Sequence, residues 1–482
     1  MNKIKSIILF HIFLTGHLFG QADSGSTFNS HLNLFSRFSS GEYFNWNEPE
    51  YENRYGISYT GFQLFNDIKL EGGLSYQSIE QKNTFWPFYT PDIYPYLLFE
   101  KSKKTFYSNN ISLYGGYYHD LTKKINLGAL VSYANSITYN RIDPRFKITG
   151  YKLGLKPVLK VNYYQLKLCL IPLIINSGNE FDMQIKGLHP VEIYQLLGLG
   201  LSENVFDYEF YTGKITQRKL GIDGDVAYAS KRLQALLKIQ AHQDNSKVTQ
   251  SNISWSVLIP EALIKSSVFS LEPNISLMGK RFTHKLSYSF TQQNKTGKEF
   301  IKRKFNDSLI VSEYWKIYGT VDKYLQYDLF QKFAYVLDFK LRHYNLSLNS
   351  GIESTEHKEN YEGIIQRYKY SYKWISPFVL LSFERKSPNY IFSLEAGFSK
   401  RLFNLSENDI LDGIPSDYVY YKEIQYFNRN AGILSFNGTF GKYHKLFGSE
   451  SLSHIGLNST FIIPENGQSM RSVVEISLQV DF

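Results

Sequence analysis

Lys152, Lys156 and Lys160 recur at every fourth residue. In an extended strand that spacing places the three ammonium groups on one face, about 13 Å between successive stems. A row of cations raises the local concentration of anions and biases what passes over it. Lys238 and His242 share a strand face in the same way, and Lys340 and Arg342 share another, with Asp338 beside them. The alternative is that these cations pair with Glu71, Asp223, Asp225 or Glu395 and only stabilise the wall that carries them. A second group is aromatic. The segment TFWPFYTPDIYPYLL over 84–98 sets Trp86, Phe88, Tyr89, Tyr94 and Tyr96 among three prolines. Prolines stiffen such a loop, and exposed rings offer stacking faces to sugars or apolar ligands. The rings also suit a constriction, a membrane girdle, or a loop packed on itself.

Covalent or metal-assisted chemistry has no such footing. There is no Walker A loop, dinucleotide fingerprint or HExxH motif, and the scattered histidines accompany no recognisable nucleophile motif. The single cysteine, Cys169 in LKLCLIP, cannot build a disulfide framework or a cysteine-ligated zinc site, and reads as an inert strand residue. No catalytic residue, metal or cofactor is expected, and the chain does not read as an enzyme.

The elements that would hold these residues are strands. Of 482 residues 38 are Tyr and 36 Phe, a composition that favours sheet. Apolar residues alternate with polar ones over long stretches. Ile68, Leu70, Gly72, Leu74 and Tyr76 interleave with Lys69, Glu71, Gly73, Ser75 and Gln77. Tyr151, Leu153, Leu155, Pro157, Leu159 and Val161 interleave with the lysine row. A period of two means one apolar and one wet face. At the N-terminus, Lys3 and Lys5 precede an apolar run from Ile7 to Leu14 and then small residues. This describes a secretory signal peptide over 1–20, cleaved after Gly20 or Ala22. No later apolar run is long enough for a transmembrane helix. The formal charge of +9 does not point to nucleic acid, because that compartment is wrong for it.

The last strand is the most specific feature. Val474, Ile476, Leu478, Val480 and Phe482 alternate with Glu475, Ser477, Gln479 and Asp481, ending on an aromatic residue. This resembles the C-terminal insertion signal of Gram-negative outer-membrane β-barrel proteins. With the Lys-, Asn- and Tyr-rich composition and the FGQ near the cleavage region, the chain resembles the porin-like barrel families of Bacteroidota-type bacteria. The resemblance implies outer-membrane localisation after signal-peptide cleavage, contact with outer-membrane lipid, and handling by the barrel-assembly machinery.

The expectation is an all-β fold: a single transmembrane antiparallel up-and-down barrel over 21–482. It has about 18 strands, in a range of roughly 14 to 20, with short periplasmic turns and long extracellular loops. The long connections are placed at 81–104, 177–214, 294–325 and 402–428. The segment 189–203 suggests a short amphipathic helix in a loop, and the charge-rich 294–308 and 354–362 read as solvated loops. Too little chain precedes the first strand for a globular plug. The expected function is passive or facilitated passage of small solutes, with a lumen biased toward anions; the solute is unspecified. One alternative is a non-conducting accessory barrel with an outer-membrane protein partner in transport, secretion or assembly. The other is a FadL-like carrier of hydrophobic compounds, which needs residues 21–50 as a hatch rather than a strand.

Overall fold

The computed structural model describes residues 26–41, 48–84, 98–100, 103–142, 145–184, 193–198, 201–206, 210–251, 259–306, 313–341, 343–362, 367–410, 430–446, 449–465 and 470–481. Every regular element among them is a strand. These are β1 Ser26–Ser40, β2 Tyr51–Phe65, β3 Ile68–Thr84, β4 Leu98–Glu100, β5 Lys104–Thr122, β6 Ile125–Tyr139 and β7 Arg145–Tyr163. Then come β8 Leu166–Gln184, β9 Ile193–Gly198, β10 Leu201–Phe206, β11 Phe210–Ala229, β12 Leu233–Ser251, β13 Ile259–Met278 and β14 Phe282–Asn306. The last are β15 Glu313–Lys340, β16 Tyr344–Glu362, β17 Arg367–Lys386, β18 Tyr390–Ile410, β19 Ala431–Leu446, β20 Ser449–Pro464 and β21 Arg471–Asp481.

Eighteen of these strands form one antiparallel sheet in which each strand pairs with its chain neighbours. The sheet closes because β1 pairs with β2 on one side and β21 on the other, Leu34 lying opposite both Ile57 and Leu478. Closure removes the unpaired edges that a lipid environment would not tolerate. β1 is therefore wall, and residues 26–40 supply no hatch.

Connections alternate in length. At one end, Asn66-Asp67 and Tyr164-Gln165 are two-residue turns; Asn66 (φ 46°) and Tyr164 (φ 53°) adopt the left-handed backbone that such turns demand. Ser230 Oγ accepts from Leu233 N at 3.0 Å in a third short turn. The longer connections all lie at the other end.

Period-two chemistry sets which face is which. Leu34 and Phe38 on β1, Leu153 and Leu155 on β7, Leu394 and Phe398 on β18, and Ile476 and Leu478 on β21 are all solvent-exposed apolar residues on the outer face. Such a continuous apolar belt is far larger than the patches of a soluble monomer, and it is the surface a bilayer covers. No helix among the described residues is long and apolar enough to cross a membrane; the strands make the crossing.

Two expectations need correction. Residues 193–198 and 201–206 are not helical: β9 and β10 pair antiparallel and, with β4, make a separate three-stranded sheet. An imperfect stripe of apolar residues fits a strand pair as well as a helix when the segment is this short. The charge-rich stretches 294–308 and 354–362 are largely not loops either, because β14 runs through the first to Asn306 and β16 through the second to Glu362. Beyond the apolar belt both strand faces are wet, so the alternation fades while the backbone ladder continues.

Candidate functional site

On β7 the lysine row lies opposite the outer belt. Tyr151, Leu153 and Leu155 are exposed outward, and Lys152, Lys156 and Lys160 share the inward face with Gly154 and the buried Val158. The three are not equivalent. Lys160 Nζ sits 4.9 Å from the Tyr118 ring centroid, and the Tyr118 hydroxyl donates to Glu71 at 2.7 Å. Lys69 donates to the same carboxylate at 2.7 Å. Lys160 thus belongs to a cluster around the Glu71 carboxylate near the short-turn end. Among the described residues, neither Lys152 nor Lys156 has a carboxylate within ion-pair distance.

The other basic positions follow the alternative reading. His242 Nε2 lies 2.7 Å from Asp223 Oδ1, and Lys238 stands opposite Asp225 in the β11–β12 register. Lys238 and His242 are three strands round the wall from the lysine row, and Asp223 and Asp225 two. Lys340 is exposed beside Asp338, whose carboxylate accepts from Lys285 at 2.7 Å. Arg342 lies outside the described residues, as do Trp86, Phe88, Tyr89, Tyr94 and Tyr96. In β21, Val474, Ile476, Leu478 and Val480 occupy the outward face, Ile476 and Leu478 the most exposed of them; Phe482 lies outside the described residues.

Around Lys152 the inner wall forms a recess of about 350 Å³ across β3, β5, β6, β7, β8 and β11. Its polar lining is almost wholly neutral, with Gln77, Asn110, Asn179 and Gln217 supplying amides. Ser75 and Ser112 share a hydrogen bond at 2.7 Å, and Ser177 Oγ donates to Gln217 Oε1 at 3.0 Å. Gly150 makes room: a Cβ there would stand 2.4 Å from Asn179 Oδ1 and 2.6 Å from Ser136 Oγ. None of the amides was singled out above. Their signal was the run of Ser, Asn and Gln at alternate positions, as in Ser75 and Gln77 or Asn110 and Ser112. A larger concavity of about 610 Å³ lies on the outer face beside Leu346, Leu381, Leu394 and Leu457, where lipid surrounds it.

A buried polar chain occupies the long-loop end. Tyr324 donates to Gln326 at 2.8 Å, and Gln326 donates to Asp328 at 2.5 Å. His357 Nδ1 lies 2.5 Å from Asp328 Oδ1, its Nε2 lies 3.2 Å from Glu359 Oε2, and its ring stacks on Tyr372 with centroids 4.9 Å apart. The outward neighbours Glu356 and Lys358 are charged and pair at 2.7 Å, so this segment lies beyond the apolar belt, which ends on β16 at Ile352. Burial alone lowers the pKa of an imidazolium; the hydrogen bonds and charges of Asp328 and Glu359 outweigh it and raise His357 to about 10.

No group of three or more metal-ligating side chains among the described residues could hold a metal ion. The model of a family of unknown function (DUF6850) matches residues 22–482. No curated protein matches the chain in sequence. Solved structures with a similar course of chain include BauA, the ferric preacinetobactin receptor from Acinetobacter baumannii. It has 7% identity and a TM-score of 0.41, over 95% of this chain and 80% of that one. The copper transporter OprC shares 8% identity, with a TM-score of 0.41 over 95% and 84%. The outer membrane transporter YddB from Escherichia coli shares 9% identity, with a TM-score of 0.41 over 94% and 80%.

Proposed function

The chain belongs to that DUF6850 family, and we propose that it is an outer-membrane channel passing small polar solutes, with a lumen biased toward anions. The observation that carries this reading is the inward-facing pair Lys152 and Lys156, which has no carboxylate within ion-pair distance among the described residues, while Lys160 lies in the Glu71 cluster, Lys238 faces Asp225 and His242 pairs with Asp223. Unbalanced cations on a low-dielectric wall enrich anions. Barrels of 16 to 18 strands are wide enough to leave an aqueous path. Signal-peptide cleavage, insertion by the barrel-assembly machinery through the Val474–Phe482 strand, and short turns facing the periplasm fit the same reading. No catalytic step and no cofactor enters it.

The test is the reversal potential of the folded protein in a planar bilayer under a salt gradient, compared with Lys152→Glu/Lys156→Glu. The reading expects the anion preference to fall or invert in the double variant. An unchanged reversal potential would remove the anion bias.

A second reading has its own support. The β14–β15 hairpin carries strands of 25 and 28 residues, far longer than a membrane crossing needs. Its projecting part suits an outer-membrane protein partner, as in an accessory barrel. Purification from native membrane at a fixed stoichiometry with another protein would favour it; migration as a lone barrel in mild detergent would oppose it.

A further inference from the structure

We propose that the recess around Lys152 is a binding station for a small polyhydroxylated anion, a sugar acid of monosaccharide size. The proposal deepens the channel reading by giving its solute a chemistry. It rests on that reading only for the route by which the solute arrives.

The recess is marked by what it lacks. A surface built only to attract anions would repeat cations; this one has a single ammonium, Lys152, in a neutral lining of primary amides and hydroxyls. Amides both donate and accept, as do sugar hydroxyls, so the amides nearest Lys152, Asn179 foremost, can meet a hydroxyl in either sense. A chloride or phosphate ion leaves the amide acceptors without use. A neutral sugar leaves the Lys152 ammonium without a counter-ion. A carboxylated sugar satisfies both.

Size and position agree. A volume near 350 Å³ lies at the lower end of small-molecule sites. The amides lie on both sides of Lys152, from β3 and β5 on one flank to β8 and β11 on the other. A ring seated beside Lys152, above the Asn179 and Ser136 side chains that fill the space over Gly150, would place its acid group on β7 and its hydroxyls against β6 and β8. Gly150 keeps Asn179 and Ser136 in place, since any side chain there would meet both.

The experiment is isothermal titration calorimetry of the folded, detergent-solubilised full barrel with sodium glucuronate, glucose and sodium acetate. Folding is checked by heat-modifiable gel mobility. Glucuronate should bind about tenfold or more tightly than glucose or acetate, the scale of one charge-assisted hydrogen bond over none. Lys152→Gln should erase the advantage over glucose, and Lys152→Arg should retain it. Asn179→Leu should weaken glucuronate and glucose alike, and Lys340→Gln should change neither. No saturable heat from glucuronate on folded protein would overturn the proposal, as would a preference that survives Lys152→Gln. Conductance is measured separately. Binding without conductance retains the station and removes the channel; conductance without binding does the reverse.

Discussion

His357 on β16 and Asp328 on β15 stand directly opposite in the β-ladder, with Nδ1 and Oδ1 2.5 Å apart in a buried site beyond the apolar belt. The pair ties together two strands at the point where lipid no longer supports the wall. Its sign is fixed by the raised pKa of His357, about 10 against an ordinary 6.5. Such a group contributes fully below its unfolded pKa, and the contribution is lost as pH rises through the folded value. Amide protection of residues 324–328 and 357–361, corrected for intrinsic base catalysis, should therefore fall between about pH 7 and about pH 10.5. His357→Gln should lower protection at neutral pH, by about 3 kcal/mol if the cost matches other broken buried pairs. It should also abolish the pH dependence; protection that stays flat with pH in the wild-type protein would contradict the assignment.

The lysine row makes a graded prediction. Lys152→Glu and Lys156→Glu should each reduce the anion-to-cation permeability ratio, together by about tenfold, the low end of what a focused field supplies. Lys238→Glu should do less, because Asp225 already faces it. Equal effects at all three positions would mean that local pairing does not govern selectivity.

Two glycines on different faces separate packing from backbone effects. A Cβ at Gly351 would stand 2.1 Å from the Phe333 carbonyl oxygen, whereas one at Gly115 meets nothing within 4 Å. Gly351→Ala should destabilise the folded barrel by about 1–3 kcal/mol, since backbone cannot step aside. Gly115→Ala should be neutral or slightly stabilising. Denaturant midpoints in liposomes read both.

The outer belt is tested by charge. Leu394 is half exposed and faces outward, and its neighbour Glu395 faces the lumen. Leu394→Arg should cost about 2–4 kcal/mol in a bilayer, and Glu395→Arg should be tolerated. A gel-shift assay of folding into liposomes distinguishes them; equal folding of both variants would mean that Leu394 does not face lipid.

Much of this architecture was legible in the chain. Leu153 and Leu155 against Lys152 and Lys156 show a wet and an oily face in consecutive residues, and repetition of that pattern marks the membrane part of the wall. The long-loop end was not legible for the same reason. Residues 354–362 have water or polar groups on both faces, so nothing alternates, although the β16 ladder continues to Glu362. The lysine row was visible because its spacing is regular. The amides around it were not, since Gln77, Asn179 and Gln217 come from strands far apart in sequence, which only the pairing order and register of the sheet bring onto one stretch of wall. Neither could spacing pair His357 with Asp328, because that contact depends on register.

The most direct measurement is single-channel conductance of the refolded protein in a planar bilayer under a salt gradient. The account predicts steady open steps with a reversal potential favouring anions. A folded, heat-modifiable barrel that conducts nothing would contradict it.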